Sequence, residues 1–400
     1  MRKPALKTHK GTKAGPESVG FSSRRLARIG EALKADIAKG RIPGAAVLVA
    51  RHGKTVYWEA FGTRDPATGA ALERNDIFRI YSMTKPICSV AMLMLVEEGR
   101  LVLSDPIGKY IPALAKLQVA VPRNGGTALE PARSDISIQD LLRHTSGLTY
   151  GFRATHIKAL YEQAEQGIDN LTNAQVAALL SKLPLAFHPG TTWEYSRSTD
   201  VLGALIEIIA HRPLGDYLAE RILSPLGMKE TAFWVPEAKW HRIAQAGPDP
   251  DTGRPQSLLN VIKPRKFESA GGGLVSTAAD YLRFAQMLLN GGELDGVRLL
   301  GPKTVAWMTA DHLGASIARG AEYIPGPGYG FGLGVAVRSA AGMSPMQGSA
   351  GDYHWSGAGG TFFWIDPQEQ LIGILMLQAP SVRQYYRQLI KSLVLQAVVE

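Results

Sequence analysis

The sequence predicts an α+β fold of the α/β-sandwich type. Strand patterns lie near both ends of the chain, helical patterns flank those strands, and the middle is mostly helical with few strand signals. Strands at the two ends with helices between them indicate one antiparallel sheet built from N- and C-terminal segments. A mostly α-helical region is then inserted between the two groups of strands.

One helix and one hairpin are predicted near the N-terminus. A helical pattern covers about 22–39, and two strand patterns follow at 45–51 and 55–61. His52-Gly53-Lys54 between the two strands is typical of a hairpin turn. The chain before the helix is basic and has no apolar run, so we expect residues 1–17 to form a disordered basic tail.

The middle of the chain predicts helices separated by loops rich in proline and glycine. A strand-like stretch at 77–81 leads into an apolar helical run that ends near Glu98. Gly271-Gly272-Gly273 is interpreted as a hinge before a later helix. The further helical stretches lie at 138–144, at 173–183, at 200–223 with a break near Pro213, and at 277–290.

The C-terminal third returns to strands. Strand patterns occur at 329–337, 360–365 and 371–377, a turn occupies 366–370, and an amphipathic helix closes the chain over about 382–399. This order indicates two domains with the active site at the seam between them. We expect an α/β domain of residues 18–81 plus 265–400 and a mostly helical domain of residues 82–264.

Composition and charge argue against two classes of partner. With 45% hydrophobic and 20% charged residues, the chain has the make-up of a globular enzyme. The net charge of +9 includes five basic residues among the first thirteen, and the remaining excess is scattered, so we expect no nucleic-acid partner. No stretch approaches the ~18 apolar residues of a membrane span. We therefore expect no membrane span and a cytoplasmic location, and the oligomeric state stays open.

The tetrapeptide Ser82-Met83-Thr84-Lys85 indicates nucleophilic chemistry at a helix start. Pro86 fits only the first turn of a helix, so the helix is predicted to begin near Ser82. Residues three apart on a helix face the same way, which lets the serine hydroxyl meet the lysine amine. A helix N-terminus also places positive potential where an oxyanion would form. Because a free lysine is protonated at neutral pH, we expect burial and positive neighbours to lower the pKa of Lys85.

Two tyrosines are candidates for the same site. Tyr195 lies in a loop before the helix predicted at Asp200, and its hydroxyl can pass a proton from the serine towards the leaving group. Tyr150 follows the run Leu142-Arg143-His144-Thr145-Ser146-Gly147-Leu148, and the sequence leaves open whether it lines the pocket or only packs.

A glycine-rich strand edge supplies the third part. His354-Trp355-Ser356-Gly357-Ala358 runs into two further glycines, which let a substrate lie against the strand. The free N–H of Ala358 is predicted to complete an oxyanion hole with the N–H of Ser82. His354 is expected to pack or to form a hydrogen bond rather than to serve as a base.

In order and setting, these motifs resemble those of the serine β-lactamase and penicillin-binding superfamily. That superfamily carries S-x-x-K at a helix start, Y-S/A-N on a loop and K-T-G on a strand. The class C β-lactamase-like branch, and within it the family VIII carboxylesterases, is the nearest match, with Y-S-x and W-G-G. The resemblance covers the chain from about Gly20 onwards and includes the stretches 142–148, 270–277 and 329–334. It implies a β-lactamase/transpeptidase-like fold.

Carried over to this sequence, the resemblance implies a role for each motif residue. Ser82 becomes the acylated nucleophile, and Lys85 and Tyr195 become the proton-transfer pair. The Ser82 and Ala358 N–H groups form the oxyanion hole. The substrate-binding residues would be Trp355, Ser356 and Gly357, and Tyr150 is a further candidate from its place after the 142–148 run.

Two departures from the superfamily pattern indicate the substrate. Arg197 replaces the asparagine of Y-S-N, and Trp355 removes the ammonium group that pairs with a β-lactam carboxylate. Ser356 is a smaller departure, because it replaces the first glycine of W-G-G with another compact residue. The resemblance therefore implies a carboxylesterase for small neutral esters with short acyl or aryl groups, with weak β-lactam hydrolysis retained. The alternatives are a β-lactamase, a D-aminopeptidase or other amide hydrolase, an acyltransferase, and a penicillin-binding homologue without turnover.

Competing catalytic motifs are missing from the sequence. It has no G-x-S-x-G nucleophile elbow and no G-x-x-x-x-G-K-[ST] phosphate loop. Its nine histidines include neither H-x-H nor H-E-x-x-H. We therefore expect neither a metal ion nor another cofactor.

Overall fold

The computed structural model describes residues 15–320 and 322–400. Most of the predicted basic tail, residues 1–14, lies outside the described residues. Pro16–Val19 forms a short 3₁₀ helix, so regular structure begins two residues before the boundary predicted at residue 18. None of the described helices is both long enough and apolar enough to cross a lipid bilayer.

The strands, helices and short helical turns of the described residues have the following bounds. The strands are β1 (Gly44–Arg51), β2 (Lys54–Asp65), β3 (Ala70–Ala71), β4 (Phe78–Arg79), β5 (Gln118–Arg123), β6 (Gly126–Pro131), β7 (Thr192–Trp193), β8 (Val275–Ser276), β9 (Glu293–Leu294), β10 (Val297–Arg298), β11 (Ala318–Arg319), β12 (Tyr329–Phe331), β13 (Ala336–Arg338), β14 (Tyr353–Ser356), β15 (Phe362–Asp366) and β16 (Leu371–Leu377). The α-helices are α1 (Ser23–Ala38), α2 (Thr84–Glu97), α3 (Ile138–Leu142), α4 (Lys158–Ala164), α5 (Asn173–Leu180), α6 (Ser198–Ala210), α7 (Leu214–Leu218), α8 (Ala278–Leu289), α9 (Pro302–Met308) and α10 (Arg383–Leu395). Further 3₁₀ turns lie at Tyr81–Met83, Ile107–Lys109, Pro112–Leu114, Ile168–Asn170 and Glu237–Arg242, and a π-helical turn at Ala219–Leu223.

One antiparallel sheet of eight strands joins the two ends of the chain. Its spatial order is β12–β13–β14–β15–β16–β1–β2–β3. At its centre β1 pairs with β16, with Ala45 opposite Leu377 and Arg51 opposite Leu371. The predicted α+β architecture with a sheet from N- and C-terminal segments is confirmed.

Both faces of the sheet are covered, which gives the sandwich its layers. Successive side chains of a strand point to opposite faces. In β1, odd-numbered residues 45–49 pack in a cluster with α1 and α10, and even-numbered residues 46–50 face a larger core that includes α2 and α8. This explains why β1 and β16 are buried along their whole length and are apolar without alternation.

Helix α2 is the core helix that positions the chemistry. It is buried from Thr84 to Leu95, and α6 packs against it. A helix that is apolar on all sides must lie inside a protein. Lys85 in its first turn is therefore held by packing, and Ser82 lies just before the helix, where the chain reaches the cavity.

The predicted single strand 329–337 is wrong, because the segment forms the hairpin of β12 and β13. The turn between these strands contains Gly334 at φ +98°, a conformation that L side chains rarely adopt. A Cβ on Gly334 would also overlap the side chain of Ser89 in α2. The continuous apolar pattern did not reveal this turn, since both strands are buried.

The structure has an exposed hairpin, β5 and β6, in the middle region, where no strand was predicted. Asn124-Gly125-Gly126 connects the two strands, with Gly125 at φ +89°. An Asn-Gly pair between strands is a strong hairpin signal. The Asn-Gly pair is therefore a signal for this hairpin, but most residues of β6 are exposed and show no apolar alternation that would predict a strand.

Candidate active site

Ser82 lies in a strained turn between β4 and α2. The helix begins two residues later than predicted, because Tyr81–Met83 forms a 3₁₀ turn and α2 starts at Thr84. Tyr81 has φ +45°, which is unfavourable for a residue with a side chain. Its hydroxyl accepts a hydrogen bond from Leu259 N–H (2.9 Å), and Tyr281 donates to the Met83 carbonyl (2.9 Å). These contacts hold the serine at a fixed place.

A cavity of about 520 Å³ opens above Ser82. Its lining comes from segments far apart in the sequence, including residues 150–153 and 195–197, the end of β14 and the start of α10. Of the predicted site residues, the cavity is lined by Ser82, Tyr150, Tyr195, Trp355, Ser356, Gly357 and Ala358.

Lys85 is fully buried and bonded beside this cavity. Its ammonium donates to Tyr150 Oη (3.0 Å) and to the Gly271 carbonyl (2.7 Å), and it lies 4.6 Å from the centre of the Tyr195 ring. Burial opposes its charge, but the oxygens of Tyr150 and Tyr195 and the Asp200 carboxylate outweigh burial and raise its pKa above the ordinary value. The expected lowering of the Lys85 pKa is wrong, and the resting site holds a lysine cation.

The Ser82 hydroxyl makes no hydrogen bond to Lys85 in the described chain. The amine uses Tyr150 and Gly271 as acceptors instead. Catalytic hydrogen bonds are often long before substrate binds. Two titratable side chains, Tyr150 and Tyr195, line the cavity and also contact Lys85, so either can link the serine to the amine.

Tyr195 is fixed by an aromatic cage. Its ring stacks on Trp193 with 6.2 Å between centroids and 14° between planes. It also contacts Tyr150 at 5.3 Å, Trp355 at 5.5 Å and His144 at 5.0 Å. Only 6% of Tyr195 is exposed, so these neighbours hold its orientation towards the cavity.

Asp200 is a site residue that the sequence reasoning missed. It is 1% exposed and accepts hydrogen bonds from the Ser269 hydroxyl (2.7 Å) and Gly271 N–H (2.9 Å). It also pairs with Arg197 at 3.2 Å. Since Gly271 in turn accepts from Lys85, the carboxylate supports the lysine through one backbone unit. The one signal in the sequence was an acidic residue in the first turn of a predicted helix, which is common and unspecific.

The end of β14 lies directly against the chain that carries the serine. Gly357 has no room for a side chain, because a Cβ there would overlap the Ile80 carbonyl oxygen and the Thr361 hydroxyl. Thr361 donates to the same Ile80 carbonyl (3.2 Å). The next residue, Ala358, is exposed, and its N–H has no acceptor in the described part of the chain. This N–H is available to a ligand.

We expect Gly357→Ala to lower kcat and the melting temperature together. The added methyl must push β14 away from Ile80, at a typical overpacking cost of about 1–3 kcal/mol, and it moves the Ala358 N–H with the strand. Steady-state kinetics and thermal unfolding measure both effects. Gly15→Ala is the matched control, since a Cβ there meets nothing within 4 Å. An unchanged kcat in a destabilised Gly357→Ala variant would refute the role of this strand end.

His354 points away from the cavity. It is 7% exposed, and both ring nitrogens lack a hydrogen-bond partner among the described residues. Burial, together with Lys391, Arg387 and Arg338, lowers its pKa well below the usual histidine value. His354 is therefore a neutral packed side chain, and it does not line the cavity.

Positive charge dominates the cavity wall. Arg383 and Arg387 of α10 line it and have no carboxylate partner within residues 15–320 and 322–400. Burial and the neighbouring Arg383 lower the pKa of Arg387 to about 9. The other arginines of the wall are paired with acids, namely Arg153 with Glu194 and Glu322, Arg197 with Glu165 and Asp200, and Arg265 with Asp169. Unbalanced positive charge favours a reaction in which negative charge develops.

Metal ligands are not assembled in the described chain. No three His, Cys, Asp or Glu side chains of residues 15–320 and 322–400 come close enough together to hold an ion.

Known proteins resemble this chain in sequence and in fold. The family model described as Beta-lactamase matches residues 29–395. Protein Rv1367c of Mycobacterium tuberculosis (strain ATCC 25618 / H37Rv) is 38% identical over 352 residues, which cover 85% of this chain and 86% of that protein. Esterase EstB of Burkholderia gladioli is 30% identical over 350 residues, which cover 82% and 83%. Among solved structures, EstCE1, a hydrolase with promiscuous acyltransferase activity, has a TM-score of 0.80 and 28% identity, with 93% and 98% covered.

Proposed function

The chain belongs to the Beta-lactamase family, and from this premise we propose that it is a serine carboxylesterase for short-chain acyl or aryl esters. The observation that carries the proposal is the wall formed by Trp355, which is 3% exposed and lines the cavity. This tryptophan stands where β-lactamases of the superfamily have the lysine of K-T-G. An aromatic wall suits a neutral ester, while a β-lactam carboxylate loses its usual ammonium partner.

In the first half of the reaction the Ser82 oxygen attacks the ester carbonyl carbon. The serine proton passes to Tyr195, which acts as a phenolate held by the Lys85 ammonium. The carbonyl oxygen becomes an oxyanion that accepts from the N–H groups of Ser82 and Ala358. The carbon–oxygen bond to the alcohol then breaks, and Tyr195 returns the proton to the departing alkoxide.

The second half releases the acyl group. Water gives a proton to Tyr195 and adds to the acyl carbon, and collapse of the intermediate returns that proton to the Ser82 oxygen. An alcohol in place of water would give a new ester by the same steps. The name of EstCE1, a hydrolase with promiscuous acyltransferase activity, supports acyl transfer as a second candidate function.

We expect a burst of p-nitrophenol from p-nitrophenyl acetate or butyrate, followed by steady turnover. The burst reports acyl-enzyme formation, and the steady phase reports its hydrolysis. A panel from acetate to laurate, run beside nitrocefin, gives the acyl preference. Nitrocefin turnover as fast as ester turnover would instead favour a β-lactamase, and a burst with no steady phase would indicate a penicillin-binding homologue without turnover.

A further inference from the structure

The side chains of Arg197, Tyr150 and Phe152 contact one another in this order, all three line the cavity, and together they are called the stack. The Arg197 guanidinium lies 4.7 Å from the centre of the Tyr150 ring. On Tyr150 the Phe152 ring is stacked, with 4.8 Å between centroids and 18° between planes. Arg197 is itself held by Glu165 at 2.9 Å and Asp200 at 3.2 Å. The departure from Y-S-N at this position therefore anchors an aromatic stack.

The outer layer of the stack is open. Phe152 is 64% exposed although it lines the cavity, and Ile324, 37% exposed, lines the same cavity. One face of the Phe152 ring is covered by Tyr150, so the exposed surface is the other face and the edge. Large apolar side chains that stay exposed beside a cavity mark a place where an apolar group binds.

The stack contacts the side chain proposed to protonate the leaving group. Tyr195, the proposed proton donor to the departing oxygen, contacts Tyr150 with 5.3 Å between ring centroids. The Tyr150 hydroxyl is bonded to Lys85, so this ring cannot turn away. A group attached to the departing oxygen then extends from Tyr195 along Tyr150 towards Phe152.

We propose that Phe152 is a specificity-determining residue whose open face stacks on the aryl group of the alcohol that leaves, so that the enzyme prefers aryl esters over alkyl esters of the same size. The inference rests on the proposed esterase function and assigns its leaving-group class. Offset aromatic pairs gain stabilisation beyond their buried area, and an alkyl ring of equal bulk does not receive it. Binding of this kind is the same in the bound ester and the transition state, so it acts on KM.

The test compares phenyl acetate with cyclohexyl acetate, which form the same acetyl-enzyme. In Phe152→Leu, which keeps the apolar bulk, kcat/KM for phenyl acetate should fall about three- to tenfold more than for cyclohexyl acetate, mainly through KM. Phe152→Tyr keeps the ring and should retain the preference. Trp307→Leu is the matched control, since Trp307 is 41% exposed on α9 and does not line the cavity. It should change neither rate.

Any of the following outcomes would contradict the proposal. If Phe152→Leu slows both esters equally, or neither, the stacking role is overturned while ester hydrolysis by the wild type stands. If the loss falls on the aryl ester but Phe152→Tyr does not restore it, a specific stacking contact is likewise refuted. If the wild type hydrolyses neither acetate, the proposed function fails, and the inference fails with it.

Discussion

Replacing Ser82 with alanine is expected to lower kcat/KM for p-nitrophenyl acetate by about 10⁴-fold or more. The variant has no oxygen to form the acyl-enzyme, so the burst should vanish as well as the steady rate. The fold should be unaffected, because the Ser82 hydroxyl makes no hydrogen bond in the described chain and the turn is held by Tyr81 and Tyr281. Stopped-flow release of p-nitrophenol measures both phases.

Ser23→Ala is the matched control for this substitution. Ser23 is an exposed serine at the start of α1 and does not line the cavity, so its variant should keep the wild-type burst and rate. A Ser82→Ala protein that keeps more than a small part of the wild-type activity would show that another group is acylated.

Lys85→Ala is expected to lower kcat/KM at neutral pH by about 10³-fold, within the usual range for general acid–base groups. The raised pKa keeps Lys85 charged from about pH 6 to pH 9. The ammonium therefore carries the same charge across this range, and its removal should lower kcat/KM by a similar factor throughout it.

The sign of the linkage separates this effect from a loss of stability. A lysine whose folded pKa lies above its unfolded value stabilises the fold at all pH values below about 10.4, and that stability is lost only as the pH rises further. The difference in unfolding free energy between wild type and Lys85→Ala should thus be constant near neutral pH, so the loss of rate there does not come from a pH-dependent loss of folded protein. Lys182→Ala, at an exposed lysine after α5, is the control. Full activity in Lys85→Ala would contradict the assigned role.

Local patterns predicted the elements whose sequence and burial agree. Helix α1, expected over 22–39, is found at Ser23–Ala38, and the strand expected at 371–377 is β16. The amphipathic period of α1 and the apolar run of β16 follow directly from the layers on which they pack. The turn at Gly334, which divides segment 329–337 into two strands, was not predictable from the local pattern, because it depends on the close approach of α2 to the turn.

The site, too, was predictable where it depends on local motifs and not where it depends on contacts between distant segments. The S-x-x-K, Y-S-x and strand-edge motifs named side chains that the structure brings around one cavity or bonds to its wall, although the motifs lie far apart in sequence. The raised pKa of Lys85 was not predictable, since it depends on Tyr150 and Asp200, which come from two other segments. The stack was likewise not predictable, because it depends on contact between Tyr150 and Arg197, which is far from Tyr150 and Phe152 in the sequence.

The most direct test of the account is the identity of the acylated residue in the wild-type enzyme. Acid quenching during turnover of p-nitrophenyl butyrate, followed by intact-mass and peptide mass spectrometry, measures it. We predict one butyryl group per chain, located on Ser82. A butyryl group on any other residue, or an unmodified protein during a full burst, would contradict it.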